Sequence, residues 1–396
     1  MNLKKVILKP AKDKSVKRFH PWVFSGAIKT VDPHCKDGEI VDVFSNKGKY
    51  LGTGHFQEGS ISIRLFEFNQ QSINDSYWKE KLLKALALRI KIGLADANET
   101  NIFRLVHAEG DDLPGLIIDY YNGTAVVQCH SIGMWLIKDI ICQSLQSIVP
   151  SLKAIYDKSA ETLPSKHVEE HQIENQYLFG EKDAIYEGLE YGNQFSINWI
   201  TGQKTGFFID QRENRKLLGD LSKNKKILNT FCYSGGFSIY ALNNGAKEVH
   251  SLDSSKKAID LLEKNIELIE NYKNNHTSIV ADAMDYIKNV DADYDIIILD
   301  PPAFAKHMNA RHKAIQGYKR LNARAIEQIK PGGLIFTFSC SQVISKELFR
   351  NTLLSAGINA GRKIKILHQL HQPSDHPVNI FHPESEYLKG LVIQVD

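Results

Sequence analysis

Asn229-Thr-Phe-Cys-Tyr-Ser-Gly-Gly236 decides the fold of the C-terminal half of this chain. The stretch closes a strand candidate, Lys226 to Phe231, and runs without interruption into a helix candidate, Ser238 to Asn243. Strand, glycine turn and helix in direct succession form the opening unit of a parallel α/β sheet. Four further strand candidates follow at Glu248 to Asp253, Thr277 to Ala281, Tyr294 to Asp300 and Gly333 to Ser339, and a longer helix over Lys256 to Glu270 separates the first two of these. The alternation predicts a doubly wound, Rossmann-like sheet from about residue 189 onward. The paired glycines are expected to let backbone amides approach a ligand, with the helix N-terminus adding positive potential. A plain βα connection uses the same residues, so the turn alone does not decide function.

The strand ends add what the turn lacks. Asp253, followed by Ser254, ends the second strand, where an acid accepts both hydroxyls of a ribose. Asp282, followed by Ala283, ends the third, and Asp300, followed by Pro301, ends the fourth. Ligands of open α/β sheets bind at this edge. Three acids there repel the phosphates of a dinucleotide and attract a sulfonium cation. The expected cofactor is therefore S-adenosylmethionine and not NAD, held by Phe231, Tyr233, Ser234, Gly235, Asp253, Ser254, Asp282, Ala283, Asp300 and Pro301.

Asp300 opens Asp-Pro-Pro-Ala-Phe304, whose prolines make a rigid, carbonyl-rich rim. Pro302 and Phe304 are expected at the substrate side, the aromatic ring stacking on a base turned out of its helix. The fifth strand ends in Phe336-Thr-Phe-Ser-Cys-Ser341, which brings Cys340 to the same edge. Carbon 5 of a pyrimidine is a poor nucleophile until a thiolate adds to carbon 6. Cys340 is the candidate nucleophile; Cys232, in the cofactor turn, is its rival.

Outward from this half, 396 residues predict two or three domains. Short alternating strands broken by turns, such as Gly38 to Phe44, Tyr50 to Gly54 and Ser60 to Phe66, predict a β-barrel or sandwich over residues 1–70, with a linker at Asn69 to Asp75. Residues 71–188 read as a central α/β domain, with helices over Tyr77 to Leu94 and Trp135 to Ile148. Its strands fall at Gly115 to Asp119, Thr124 to Gln128 and Ala154 to Tyr156, and Ser159 to Glu181 reads as a loop. The 49 basic and 46 acidic residues nearly cancel, yet Lys4, Lys5, Lys9, Lys12, Lys14, Lys17 and Arg18 face only Asp13 in the first eighteen positions. That is a basic arm suited to phosphates, or else a solvated face. Five scattered cysteines without a CxxC pair predict reduced thiols, and no stretch reaches the length of a membrane span, so a cytoplasmic protein without membrane contact is expected. His167 and His171, with Glu169 and Glu170, would share a helical face but lack a third ligand, so no metal is assigned.

Taken together, the motifs resemble those of the bacterial 23S ribosomal RNA large-subunit cytosine-C5 methyltransferases that carry an N-terminal PUA domain. The likeness runs nearly end to end, through His20-Pro-Trp-Val-Phe-Ser-Gly-Ala27, Glu109-Gly-Asp-Asp-Leu-Pro-Gly-Leu116 and Lys204-Thr-Gly-Phe-Phe-Ile-Asp-Gln-Arg212. It continues through Asp300 to Phe304, Thr337 to Ser341, Asp375-His-Pro-Val378 and Tyr387-Leu-Lys-Gly390. The resemblance implies a PUA barrel for RNA docking, a central α/β domain and a class I methyltransferase domain. It implies ribosomal RNA, naked or partly assembled, as partner, and is compatible with a homodimer. Cys340 then matches the nucleophile, Asp300 the acid that holds the ring-nitrogen edge of the cytosine, and Gln203 and Lys204 to Phe208 a segment flanking the cofactor, with Lys204 on the substrate side. Cys232 departs from the small residue usual in that turn, and no cysteine follows Pro302, so the group assisting product release is not assigned. Two other readings stay open: a ribosomal RNA guanine methyltransferase, which needs no thiol, and an RNA-binding protein that has lost activity.

Overall fold

Parallel strands that are buried on both faces have to be apolar throughout, and Ile296-Ile-Ile-Leu299 meets that requirement at the centre of the C-terminal sheet. The computed structural model describes residues 3–184, 186–271, 273–290, 292–305 and 307–396. The five expected strands are β1 (Lys226–Thr230), β2 (Glu248–Asp253), β3 (His276–Val280), β4 (Ile296–Leu299) and β5 (Leu334–Ser339). They pair in parallel in the order β3-β2-β1-β4-β5. Two strands absent from the sequence reading, β6 (Ile364–His371) and β7 (Lys389–Val395), complete a seven-stranded sheet. β7 lies antiparallel between β5 and β6, with Lys389 opposite Ser339.

A helix over Arg212–Leu221 precedes β1, the helix after β1 begins at Gly236, and the helix expected to reach Glu270 stops at Glu267. Ser255 caps the latter, its hydroxyl accepting from the Ala258 amide, and Ala258, Ile259, Leu262, Asn265 and Ile266 form its buried stripe. Helices Arg311–Gln328 and Lys346–Ala360 were not foreseen; they contribute Tyr318, Leu321, Phe349 and Leu353 to the core around β4 and β5.

The chain divides into two compact units that interleave along the sequence. Residues 1–189, 197–209 and 374–385 form the first; 190–196, 210–373 and 386–396 form the second, which holds the seven-stranded sheet. In the first unit, Trp22–Phe24, Ile61–Glu67, Tyr50–Phe56, Ile40–Phe44, Lys4–Leu8 and Ile28–Val31 make one six-stranded sheet around Val6, Leu8, Val41, Val43, Ile63 and Leu65. The basic arm is therefore part of the fold: Lys4 and Lys5 lie in its first strand, Lys4 pairs with Glu39 and Lys17 with Asp13. Lys12, Lys14 and Arg18 remain exposed.

A five-stranded sheet follows, in the order Gln176–Phe179, Ala154–Asp157, Thr124–Cys129, Leu116–Tyr121 and Ile102–His107. Helix Asp75–Lys91 packs beside it, and the helix expected over Trp135 to Ile148 is two, Ile132–Leu136 and Lys138–Ile148. The expected loop at Ser159 to Glu181 holds helix Ser165–His171 and strand Gln176–Phe179. That strand is an edge strand paired on one side only and half exposed, so its alternation is weak. Residues 374–385 complete this unit: the Asp375 carboxylate accepts from the Arg104 amide at 2.9 Å, 271 residues away in sequence, and its carbonyl accepts from Arg89 at 2.7 Å. Arg89 also makes a buried bidentate pair with Asp111.

Candidate active site

Two non-glycine residues in left-handed conformation, Phe231 (φ 56°) and Tyr233 (φ 48°), bend the chain after β1. The bend is clamped to β2: the Cys232 amide donates to the Leu252 carbonyl, and the Tyr233 amide to Asp253 Oδ2, both at 3.0 Å. Asp253 Oδ1 accepts from the Ser255 amide at 2.9 Å, so both oxygens are oriented by backbone donors and each keeps acceptor capacity. The glycines also answer a packing constraint. A side chain on Gly235 (φ 81°) would meet Leu262 Cδ1 at 2.0 Å, and one on Gly236 would meet Arg215 Cδ at 2.9 Å. They make room for the protein itself. Ser234 is buried, its carbonyl taking a 2.8 Å bond from Asn265, and Ser254 is exposed. Asp282 is exposed too and caps the short helix Ala283–Tyr286, accepting from the Asp285 amide at 3.0 Å, with Ala283 buried beneath it.

At the ends of β4 and β5 the second unit gathers the groups with chemistry. Gln211 donates from Nε2 to Asp300 Oδ2 at 2.9 Å, and Asn214 donates to Gln211 Oε1 at 2.6 Å, which fixes the amide's orientation. Tyr387 donates to Asp210 Oδ2 at 2.8 Å. Burial, then the charge of Asp210, raises the Asp300 carboxyl to about 7, so near neutral pH it is present both as acid and as carboxylate. Cys340 is half-buried, and burial followed by Asp300 and Asp210 pushes its thiol up to about 11; among the described residues Lys389 acts in the opposite direction. The Ser341 hydroxyl donates to the Ala305 carbonyl at 2.6 Å, tying the end of β5 to the segment after β4. Pro301 is buried and Pro302 exposed; Phe304 packs on Tyr318 with ring centres 4.5 Å apart.

Asp300 and Cys340 thus come together as expected, whereas Lys204 belongs to the first unit, in left-handed conformation. Cys232 is buried, and burial raises its thiol well above the ordinary value, with Asp253 adding to the effect. Asp210, Gln211, Tyr387 and Lys389 were not singled out, although they lie inside two quoted motifs. What marks them is convergence across up to 177 residues, which spacing does not disclose.

Two histidine clusters lie in the first unit. His167 and His171 do share a helix face, with ring centres 4.1 Å apart beside Trp135. His20, His382 and Glu384 bring ligand-type atoms within 4.8 Å of one another. His20 Nδ1, however, accepts the Trp22 amide proton at 3.1 Å, which puts the ring proton on Nε2, facing Glu384 Oε1 at 3.5 Å. That nitrogen offers a metal no lone pair, and the cluster is a hydrogen-bonded bridge.

The chain is similar over residues 6–68 to the PUA-like domain family and over residues 105–384 to the S-adenosylmethionine-dependent methyltransferase family. A ribosomal RNA large subunit methyltransferase I of Alteromonas mediterranea is 37% identical over 396 residues, 98% of each chain, and one of Aeromonas hydrophila is 35% identical with the same coverage. A crystal structure of a methyltransferase complexed with SAH matches 100% of both chains at 25% identity with a TM-score of 0.84. A SAM-dependent methyltransferase from Streptococcus mutans shares the fold at a TM-score of 0.83, with 24% identity and 100% coverage of both chains. Among the described residues no helix is long and apolar enough to cross a membrane.

Proposed function

The chain belongs to the S-adenosylmethionine-dependent methyltransferases, and from that premise we propose that it methylates carbon 5 of a cytosine in 23S ribosomal RNA through a covalent bond to Cys340. The observation that carries this reading is the meeting of a thiol and a partly protonated carboxyl, Cys340 and Asp300, at the C-terminal edge of a methyltransferase sheet. Guanine methylation requires no thiol. A thiolate adding to carbon 6 makes carbon 5 nucleophilic, and Asp300 in its acid form gives a proton to the ring nitrogen as charge develops there. The relatives' names supply the ribosomal RNA substrate, which the chain would meet in the cytoplasm. Release of tritium from carbon 5 of labelled cytosine tests the proposal; methylated guanine without release supports the other reading.

The donor set suits the cofactor: backbone-anchored Asp253, exposed Asp282 and half-buried Asp300 present acceptors to ribose, adenine and a cationic sulfur. Phe231, Tyr233, Ser234, Gly235, Ser254, Ala283 and Pro301 would line the rest of that site. S-adenosylmethionine supplies an electrophilic methyl group there. Asp253→Ala should weaken its binding roughly ten- to a hundred-fold, the worth of charge-assisted hydrogen bonds of about 1.5–3 kcal/mol. Unchanged affinity by calorimetry removes Asp253 from the site.

We further assign RNA docking to residues 1–70, support to 71–188 and chemistry to 189–396, with Pro302, Phe304 and Lys204 on the substrate side. The same segment exposes Phe19 and Phe24, suited to stacking, and Lys12, Lys14 and Arg18, suited to phosphate contact. Replacing those three cations with alanine should reduce the slope of log affinity against log salt by roughly 2 to 3, about 0.7–0.9 per phosphate contact. An unaltered slope makes them a solvated face.

A further inference from the structure

Lys389 is buried at 5% exposure. Its ammonium has no carboxylate within ion-pair distance among the described residues; its partner is the Ser341 carbonyl, at 2.7 Å. The neighbouring acid, Glu386, is paired with Lys346 at 2.5 Å. A buried cation without a counter-ion is costly, and the structure that tolerates it is the antiparallel insertion of β7 beside β5. The register sets Lys389 opposite Ser339, the last residue of β5, and its side chain spans the turn that carries Cys340. Lys389 Nζ thus sits on the carbonyl of the residue that follows Cys340, and among the described residues it favours the thiolate while Asp300 and Asp210 oppose it.

On the cytosine reading, we propose that Lys389, as the free amine, is the base that takes the proton of the Cys340 thiol when sulfur bonds to the pyrimidine. The S–H bond breaks, its proton passes to Nζ, and the sulfur electron pair forms the bond to carbon 6. The carbon 5–carbon 6 π pair moves into the ring, and the ring nitrogen takes the proton of the Asp300 acid. Once carbon 5 carries the methyl group, its proton leaves to solvent and that C–H pair restores the double bond. The sulfur–carbon 6 pair returns to sulfur, Lys389 reprotonates the thiolate, and the ring-nitrogen proton goes back to Asp300. Each group ends as it began, with one proton released per methyl group.

Burial lowers the Lys389 ammonium to about 8, against the opposing effects of Cys340 and Glu386 and with Lys346 adding to the lowering. Attack needs the amine free, so the rate falls below pH 8; it needs Asp300 protonated, so the rate also falls above pH 7. A bell between about 7 and 8 results.

The test uses the full chain and two readouts. Alkylation of Cys340 by iodoacetamide, located by peptide mass spectrometry, reports the thiol without RNA; adduct formation with RNA containing 5-fluorocytosine reports attack. Lys389→Met should slow alkylation about tenfold at pH 7.5 and adduct formation by about 10²–10⁴-fold, and erase the rising limb of the pH profile. Lys389→Arg keeps the charge without a usable base, so alkylation should recover while adduct formation stays at least a hundred-fold down. Native adduct rates in Lys389→Arg, or a rising limb that persists in Lys389→Met, overturn the proposal. Failure of the cytosine reading has a different signature: the native chain itself then traps no RNA, and the alkylation difference between native and Lys389→Met persists.

Discussion

RNA carrying 5-fluorocytosine should form a protein–RNA adduct that survives denaturation with the native chain and with Cys232→Ala, and none with Cys340→Ala. Fluorine cannot leave carbon 5 as a proton does, so the thioether at carbon 6 persists once methyl transfer has occurred. With ordinary cytosine tritiated at carbon 5, the same three proteins should release label, release label and release none. The expected loss in Cys340→Ala is at least about 10⁴-fold in turnover, the scale seen when a covalent nucleophile is removed. Cys232 is exempt for a physical reason: its sulfur is buried in the turn between β1 and the following helix, and burial raises its thiol well above the ordinary value. An adduct that persists in Cys340→Ala and disappears in Cys232→Ala would reverse the assignment.

The second large effect is on stability. Glu190→Ala should cost the second unit about 3–5 kcal/mol. The Glu190 carboxylate is fully buried, takes two bonds from Arg215 at 2.8 and 2.7 Å, and takes a third from the Tyr240 hydroxyl at 3.0 Å. Removing it takes away the carboxylate that two nitrogens of the buried Arg215 guanidinium engage. Arg215 also packs against Gly236, so the lesion reaches the start of the helix after β1. At 2–4 °C per kcal/mol for a unit of this size, melting should fall by roughly 6–20 °C. Glu190→Met with Arg215→Met should recover much of the loss, because an apolar pair carries no uncompensated charge. A drop under about 1 kcal/mol for Glu190→Ala would show that water or another acid already serves Arg215.

What the sequence disclosed follows from how local each signal is. β4 announces itself as four consecutive apolar residues, and Asp300 marks its end because an acid interrupts that run. β6 is largely exposed and β7 returns antiparallel after a polar segment, so neither has the βα rhythm that identifies the first five strands. The basic arm was legible as charge but not as structure, since Lys4 and Lys5 alternate with nothing that betrays pairing to Ile40–Phe44. In the site, Cys340 and Asp300 follow from motif and chemistry. Gln211, Tyr387 and Lys389 do not, because what gives them a role is a hydrogen bond to a residue 89, 177 or 48 positions away.

The interleaving of the two units bears on how the chain is made. Synthesis delivers residues from the N-terminus at about 5–20 per second. The first unit then waits for Asp375 before Arg89 and Arg104 receive their last acceptors, by which time most of the second unit has emerged. Neither half is finished before the other is nearly so, and a nascent chain stopped at residue 373 would lack Asp375 from one and Lys389 from the other.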